Sequence, residues 1–106
     1  MSPLNSSNAD SQGIIFTLDD SNKTAIISGY TILNSPDIII KRGVSDIHGT
    51  IYKVVSMTSD CLSDATSINS ITFDKTSINE FIYMTSGFPS SVSRISFSDG
   101  EIELTH

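Results

Sequence analysis

The feature that most constrains this chain is an apolar pattern that recurs after 24 residues in its second half. A fixed period of this length is typical of stacked architectures, in which successive coils contribute to one shared core. The apolar residues that match at this offset are Ile68 with Val92, Ile71 with Ile95, Phe73 with Phe97, and Ile78 with Ile102. The polar residues between these apolar positions match less strictly, as expected of repeats that share only an interior.

Each copy follows the pattern apolar-x-x-apolar-x-apolar, which has the cadence of a leucine-rich repeat with Ile, Val and Phe in place of Leu. The last three positions alternate as one strand with two buried side chains. An earlier copy at 44–49 is worn, because Gly49 stands where the last apolar residue belongs. The same offset extends towards the N-terminus through the pairs Val44 with Ile68, Ile47 with Ile71, Val54 with Ile78, and Met57 with Phe81.

The residue types favour strands over helices. The chain has 16 Ile and 4 Val but only 5 Leu and 3 Ala in 106 residues. β-Branched side chains lose rotamer freedom in helices and pack well on a pleated sheet. A mainly β fold in a single domain is therefore predicted, since the chain is near the size where one core is just sufficient.

Turn residues divide the chain into a tail, a hairpin and the repeats. Residues 1–12 have almost nothing to bury and predict a flexible N-terminal tail, followed by a single repeat domain at 13–106. Within that domain, 13–41 is interpreted as an N-terminal hairpin or cap and 42–106 as the repeat coils. The predicted local elements are a hairpin of Ile14–Leu18 and Thr24–Ile27, short strands at Tyr30–Leu33 and Ile38–Lys41, and a tight turn at Ser98–Glu101.

Residues 49–73 resemble the BspA-like leucine-rich repeat family, whose pattern runs roughly Tyr-x-Val-x-x-Ile-Gly-x-x-Ala-Phe-x-x-Cys-x-x-Leu-x-x-Ile-x-Ile. The resemblance extends over about residues 14–104, with the hairpin in the place of the N-terminal cap. The sequence departs from this pattern at three places. Thr58 stands in the Gly position, Phe73-Asp74 replaces the Ile-Pro step that follows the strand in the family, and Thr85-Ser86 replaces the Ala-Phe segment in the last repeat. The substituted positions are Met57 for Ile, Cys61 for Ala, Leu62 for Phe, Ala65 for Cys and Ile68 for Leu.

The resemblance implies a short solenoid of about 24-residue coils that binds other proteins, host components or glycans, without enzymatic chemistry. It also implies an alternative register for the worn copy. In that register the strand lies near Ile38–Ile40 instead of at Ile47. The register of the first coil is therefore left open.

Composition and motifs exclude several other classes. A net charge of −6, with no cationic run longer than Lys41-Arg42, argues against nucleic-acid binding, and no apolar run is long enough to insert in a membrane. No secretory signal is recognised as the sequence is written, and a virion or extracellular surface is the suspected location. Cys61 is expected to be a structural thiol, and the Asp19–Asn22 segment a turn without bound calcium. We expect no enzyme activity, cofactor or metal.

The polar side chains between the buried strand positions are the candidate binding residues. On a short solenoid they should point outward in rows about 4.8 Å apart. One hypothesis is that this face binds a partner protein or carbohydrate. The alternative is a structural subunit of a virion or surface appendage that forms oligomers or larger assemblies through exposed edges and the tail. The residues are Ser45, Asp46, His48, Asn69, Ser70, Thr72, Ser93, Arg94 and Ser96.

Overall fold

The computed structural model describes residues 3–58, 60–80 and 88–104, which form a mainly β protein. In these ranges there is no helix long and apolar enough to cross a membrane. A short 3-10 helix spans Ile78–Glu80. The strands are β1 (Ile14–Asp19), β2 (Thr24–Tyr30), β3 (Asp37–Lys41), β4 (Gly43–Ser45), β5 (Ile51–Met57), β6 (Ser70–Asp74), β7 (Arg94–Phe97) and β8 (Gly100–Glu103).

The strands form two four-stranded sheets. The first sheet has the order β1-β2-β5-β4, with a parallel β2–β5 pair flanked by antiparallel neighbours. The second sheet has the order β3-β6-β7-β8, in which β3, β6 and β7 are parallel and β8 returns antiparallel to β7. The chain crosses from the first sheet to the second between β2 and β3, and again between β5 and β6.

Both sheets contribute to one hydrophobic core. Alternate side chains are buried along β3, β6 and β7, as the period of two in a strand requires. From the second sheet Ile38, Ile71 and Ile95 occupy one buried row, and the rings of Phe73 and Phe97 stack with their centroids 4.9 Å apart. The first sheet supplies Ile14, Phe16, Ala25, Ile27, Val54 and Met57.

The 24-residue offset is confirmed between β6 and β7 but is wrong for the copy before them. Ile71 lies directly opposite Ile95. On the other side of β6, however, its partner is Ile38, so the alternative register is the correct one. Ile47, which the offset placed there, is 61% exposed in the turn between β4 and β5. Phe81, the offset partner of Met57, lies outside the described residues.

The predicted hairpins are confirmed, with one correction to a strand boundary. β1 and β2 pair as an antiparallel hairpin, and β7 and β8 pair around Ser98-Asp99. The expected separate strand at Tyr30–Leu33 is wrong, because β2 runs through Gly29 to Tyr30. Gly29 does not end the strand, since it remains paired with Ile15 of β1 next to a bulge.

Residues 3–12 lie against the sheets, in contrast to the flexible tail expected from their composition. Leu4 and Ala9 are buried, and Ala9 forms a bridge with Ile15. The Leu4 amide donates to the Ser45 carbonyl at 2.8 Å. Asp10 accepts the amides of Gln12 and Ile14 and so shapes the entry into β1. The sequence did not reveal that Leu4 and Ala9, which stand among many polar residues, would be buried against the sheets.

Candidate functional site

Six of the nine candidate residues lie on the outward face of the second sheet or at its margin. Ser70 and Thr72 lie on the solvent side of β6, and Arg94 and Ser96 on that of β7; Thr72 and Ser96 each stand between two buried neighbours. Asn69 is exposed immediately before β6. Ser93, also exposed, immediately precedes β7 and accepts the Leu104 amide through its carbonyl at 2.8 Å.

Three candidates lie elsewhere, because the worn copy does not form the strand beside β6. Ser45 is buried at the end of β4 in the first sheet. Asp46 and His48 belong to the β4–β5 turn, where the Asp46 carboxylate accepts the amides of His48 and Thr50, both at 2.9 Å. These residues therefore do not extend the face formed by β6 and β7.

The strand that does extend the face is β3, whose outward residues the sequence analysis missed. Asp37, Ile39 and Lys41 lie opposite Ser70, Thr72 and Asp74. On the other side, β8 places Glu101 opposite Ser96 and Glu103 opposite Arg94. The only available signal in the sequence was the alternative register that the family resemblance implied.

The central row of this face differs from the rows beside it. The row runs through Ile39, Thr72, Ser96 and Glu101, with Ile39 46% exposed. The hydroxyls of Thr72 and Ser96 are half-buried and form no hydrogen bond with other side chains or backbone in the described ranges. They are therefore available as donors and acceptors to a ligand.

Both cations of this face are paired with carboxylates. The Lys41 ammonium lies 3.1 Å from Asp74, and the Arg94 guanidinium 3.6 Å from Glu101. The Ser70 hydroxyl donates to the Asp37 carboxylate at 2.8 Å. Exposed pairs of this kind add little stability, but they leave neither cation free.

The side chain of Gln12 borders this face at the outer edge of β3. Its amide nitrogen donates to the Ile39 carbonyl and its amide oxygen accepts the Ile39 N–H, both at 2.7 Å. The side chain thus pairs with the edge as a neighbouring strand would. Beside it lies a cavity of about 250 Å³, lined by Asp10, Ser11, Gln12, Phe16, Ile39, Lys41 and Val44.

Two side chains with reactive groups, Cys61 and Asp19, lie in structural contacts. Burial raises the pKa of the half-buried Cys61 thiol, which opposes formation of a nucleophilic thiolate. Asp19 accepts hydrogen bonds from Ser21 and Asn22, first of all from their side chains, and these lower its pKa to about 2. Within the described ranges no group of three His, Cys, Asp or Glu side chains is placed to hold a metal ion. His106 lies outside those ranges.

A second polar cluster joins two turns of the first sheet. The Tyr52 hydroxyl donates to the Asp20 carboxylate and also lies 3.4 Å from Asp46. The bond to Asp20 is the main reason that the pKa of Tyr52 rises to about 12. Because the hydroxyl links the β1–β2 turn to the β4–β5 turn, its role is structural.

Comparison with known proteins defines the class of fold. The structure is similar to that of a leucine-rich repeat protein from Bacteroides capillosus ATCC 29799, with a TM-score of 0.66 and 18% sequence identity. The match covers 86% of this chain and 65% of the other, so this chain spans slightly less than two thirds of that protein. No protein-family model and no curated protein matches the sequence.

Proposed function

We propose that this protein is a non-enzymatic recognition module of the leucine-rich-repeat type. In this proposal β2–β3 and β5–β6 are successive coils of a short solenoid, and the β1–β2 hairpin caps its N-terminal end. The similarity to a leucine-rich repeat structure supports the fold, and the burial of Met57, Leu62 and Ala65 supports the BspA-like resemblance.

The partner binds the outward face of the second sheet. The observation that carries this assignment is the central row, where two unpartnered hydroxyls, those of Thr72 and Ser96, lie beside the exposed Ile39. An apolar contact next to free donors and acceptors is the arrangement found where protein surfaces meet. Both cations of this face, Lys41 and Arg94, are already paired with carboxylates, which argues against a partner that binds mainly by charge.

Photo-crosslinking tests this assignment and can capture a partner of any sequence. Benzoylphenylalanine is placed at Thr72, or as a matched control at Thr17, which is exposed on β1 of the first sheet. After irradiation in extracts of the source organism, we expect a discrete adduct from position 72 only, and its loss when Ser96→Arg is added. Equal labelling from both positions, or a glycan adduct in place of a protein, would contradict the proposal.

Two observations favour this function over assembly as a structural subunit. The edge of β3 is already paired with the Gln12 side chain, and the edge strand β8 carries Glu101 and Glu103. Charged residues and covered backbone groups both oppose edge-to-edge pairing. Light scattering after size exclusion should therefore give the mass of a monomer, whereas a large symmetric oligomer would support the structural alternative.

A further inference from the structure

Five of the six cationic side chains of this acidic protein are gathered around Gly43. They line two adjoining hollows of about 360 and 390 Å³, which share Arg42 and Gly43. The first hollow lies between the start of β4 and the start of β5, and the second lies beside the end of β6. We call these five residues the basic ridge: Lys23, Lys41, Arg42, Lys53 and Lys75.

The ridge already holds carboxylates of its own chain. One oxygen of Glu80 lies 3.0 Å from the Arg42 guanidinium and 3.9 Å from the Lys53 ammonium. A second carboxylate, that of Asp74, pairs with Lys41 at 3.1 Å. These contacts show that the basic ridge can hold a carboxylate, since a guanidinium and an ammonium group converge on the single carboxylate of Glu80.

Two cations of the ridge remain without an acidic partner. Lys23 and Lys75 form no ion pair with any residue in the described ranges, and those ranges include all twelve Asp and Glu side chains of the protein. The Lys23 ammonium lies 5.7 Å from the ring centroid of Tyr52. Both lysines are exposed, so a ligand can reach them.

An apolar side chain lies among these charges. Ile51 lines the first hollow together with Lys23, Arg42 and Lys53, and it is 58% exposed. An isolated exposed isoleucine needs no explanation, but one surrounded by cations offers apolar contact within a charged site. A ligand that carries carboxylates and an aliphatic group would pair with the free lysines and also contact Ile51.

We propose that the basic ridge binds an acidic peptide segment of a partner protein, with its carboxylates at Lys23 and Lys75 and an aliphatic side chain on Ile51. This site lies beyond the central row of the second sheet and goes beyond the function proposed above. With five cations on the ridge, the remaining surface has Arg94 against ten acidic side chains, so an acidic ligand is repelled everywhere else. An acidic peptide is favoured over a sulfated sugar because Glu80 and Ile51 show carboxylate and aliphatic contacts.

Fluorescence anisotropy with defined probes tests the proposal on the full chain. The probes are a labelled Glu-Glu-Leu-Glu-Glu peptide, its serine counterpart Glu-Glu-Ser-Glu-Glu, and a heparin hexasaccharide as competitor, at about 50 mM salt to limit screening. The variants are Lys23→Gln and Lys75→Gln. Thr17→Glu, at an exposed position on β1, is the matched control, since it makes the same change in net charge outside the ridge and outside the face of the second sheet.

We expect the leucine peptide to bind more tightly than the serine peptide, and Ile51→Ser to remove that difference. Each lysine variant should weaken peptide binding by about fivefold, while Thr17→Glu leaves it unchanged. Equal losses in all three charge variants, tighter binding of the hexasaccharide, or no saturable peptide binding would overturn the proposal. None of these outcomes depends on crosslinking at Thr72, so the two proposals fail separately.

Discussion

The two sheets share a core but differ in regularity. In the second sheet the described parts of the ladders from β3 to β8 run without a register shift. The first sheet has shifts at Ile15/Phe16 and at Ala25/Ile26, and its last strand, β4, runs antiparallel to β5.

This difference explains why the two proposed sites have different characters. Where buried residues recur in register, the side chains between them also align, and the second sheet therefore presents straight outward rows. The first sheet turns back at Gly43, which brings Arg42 beside Lys53 and Lys23. Regular pairing produces a face whose two cations are paired with carboxylates, whereas the reversal at Gly43 brings several cations together. The following predictions test this contrast, beginning with the largest effect.

The second sheet should depend most on its stacked aromatic residues. Phe73→Ala removes a fully buried ring that stacks on Phe97, and we expect a loss of about 4 kcal/mol in the free energy of unfolding. Urea unfolding measures it. The control Ile47→Ala, at an exposed position, should change it by less than about 0.5 kcal/mol. Similar values for both would mean that Phe73 is not in the core.

The N-terminal segment should contribute to stability through Leu4. This side chain is 2% exposed, and Leu4→Ala should cost about 2 kcal/mol in urea unfolding. Ser6→Ala, at an exposed position in the same segment, serves as the control. If Leu4→Ala has no more effect than Ser6→Ala, residues 3–12 behave as the flexible tail expected from composition.

The edge of β3 should be sensitive to the hydrogen-bonding groups of Gln12. Gln12→Glu keeps an acceptor for the Ile39 N–H but places a second acceptor against the Ile39 carbonyl. We expect a loss of about 1 kcal/mol at neutral pH relative to the unsubstituted protein. The difference should shrink below the pKa of the new carboxyl, because the protonated group can donate again. A difference independent of pH would argue against this contact.

The turns of the first sheet should show a small effect at alkaline pH. Hydrogen bonding to Asp20 raises the pKa of Tyr52 from 10.0 to about 12, so folding favours the protonated hydroxyl. Its contribution is therefore complete below pH 10 and is lost as the pH rises through 12. Urea midpoints should fall more steeply over this window in the unsubstituted protein than in Tyr52→Phe. Equal slopes would exclude this hydrogen bond as the cause.

The parts of the fold that sequence could predict are those specified by local signals. The Asp19–Asn22 turn and the Ser98-Asp99-Gly100 turn mark both hairpins. A run of three isoleucines marks β3, and alternating apolar residues mark β6 and β7. The offset of 24 residues matched Ile71 to Ile95 correctly because β6 and β7 pair in parallel, with these two residues directly opposite each other.

The errors came from contacts between distant parts of the chain. The spacing before β6 is longer, since the paired residues Ile38 and Ile71 are 33 residues apart, and a fixed offset of 24 therefore selected Ile47 instead. Val44 is buried. Its apolar character fits both the register that places Ile47 beside β6 and the register that places Ile38 there, so it could not distinguish the two. The pairing of Gln12 with Ile39 and the clustering of Lys23 with Arg42 depend on the tertiary fold, and no local pattern specifies them.

The proposed function depends on the position of β3 beside β6, since this places Ile39 next to Thr72 on the outward face of the second sheet. Methyl-labelled isoleucines allow a direct measurement by nuclear Overhauser effects. We predict cross-peaks between Ile38 and Ile71 and between Ile71 and Ile95, and none between Ile47 and Ile71. A cross-peak between Ile47 and Ile71, with none from Ile38, would contradict the account.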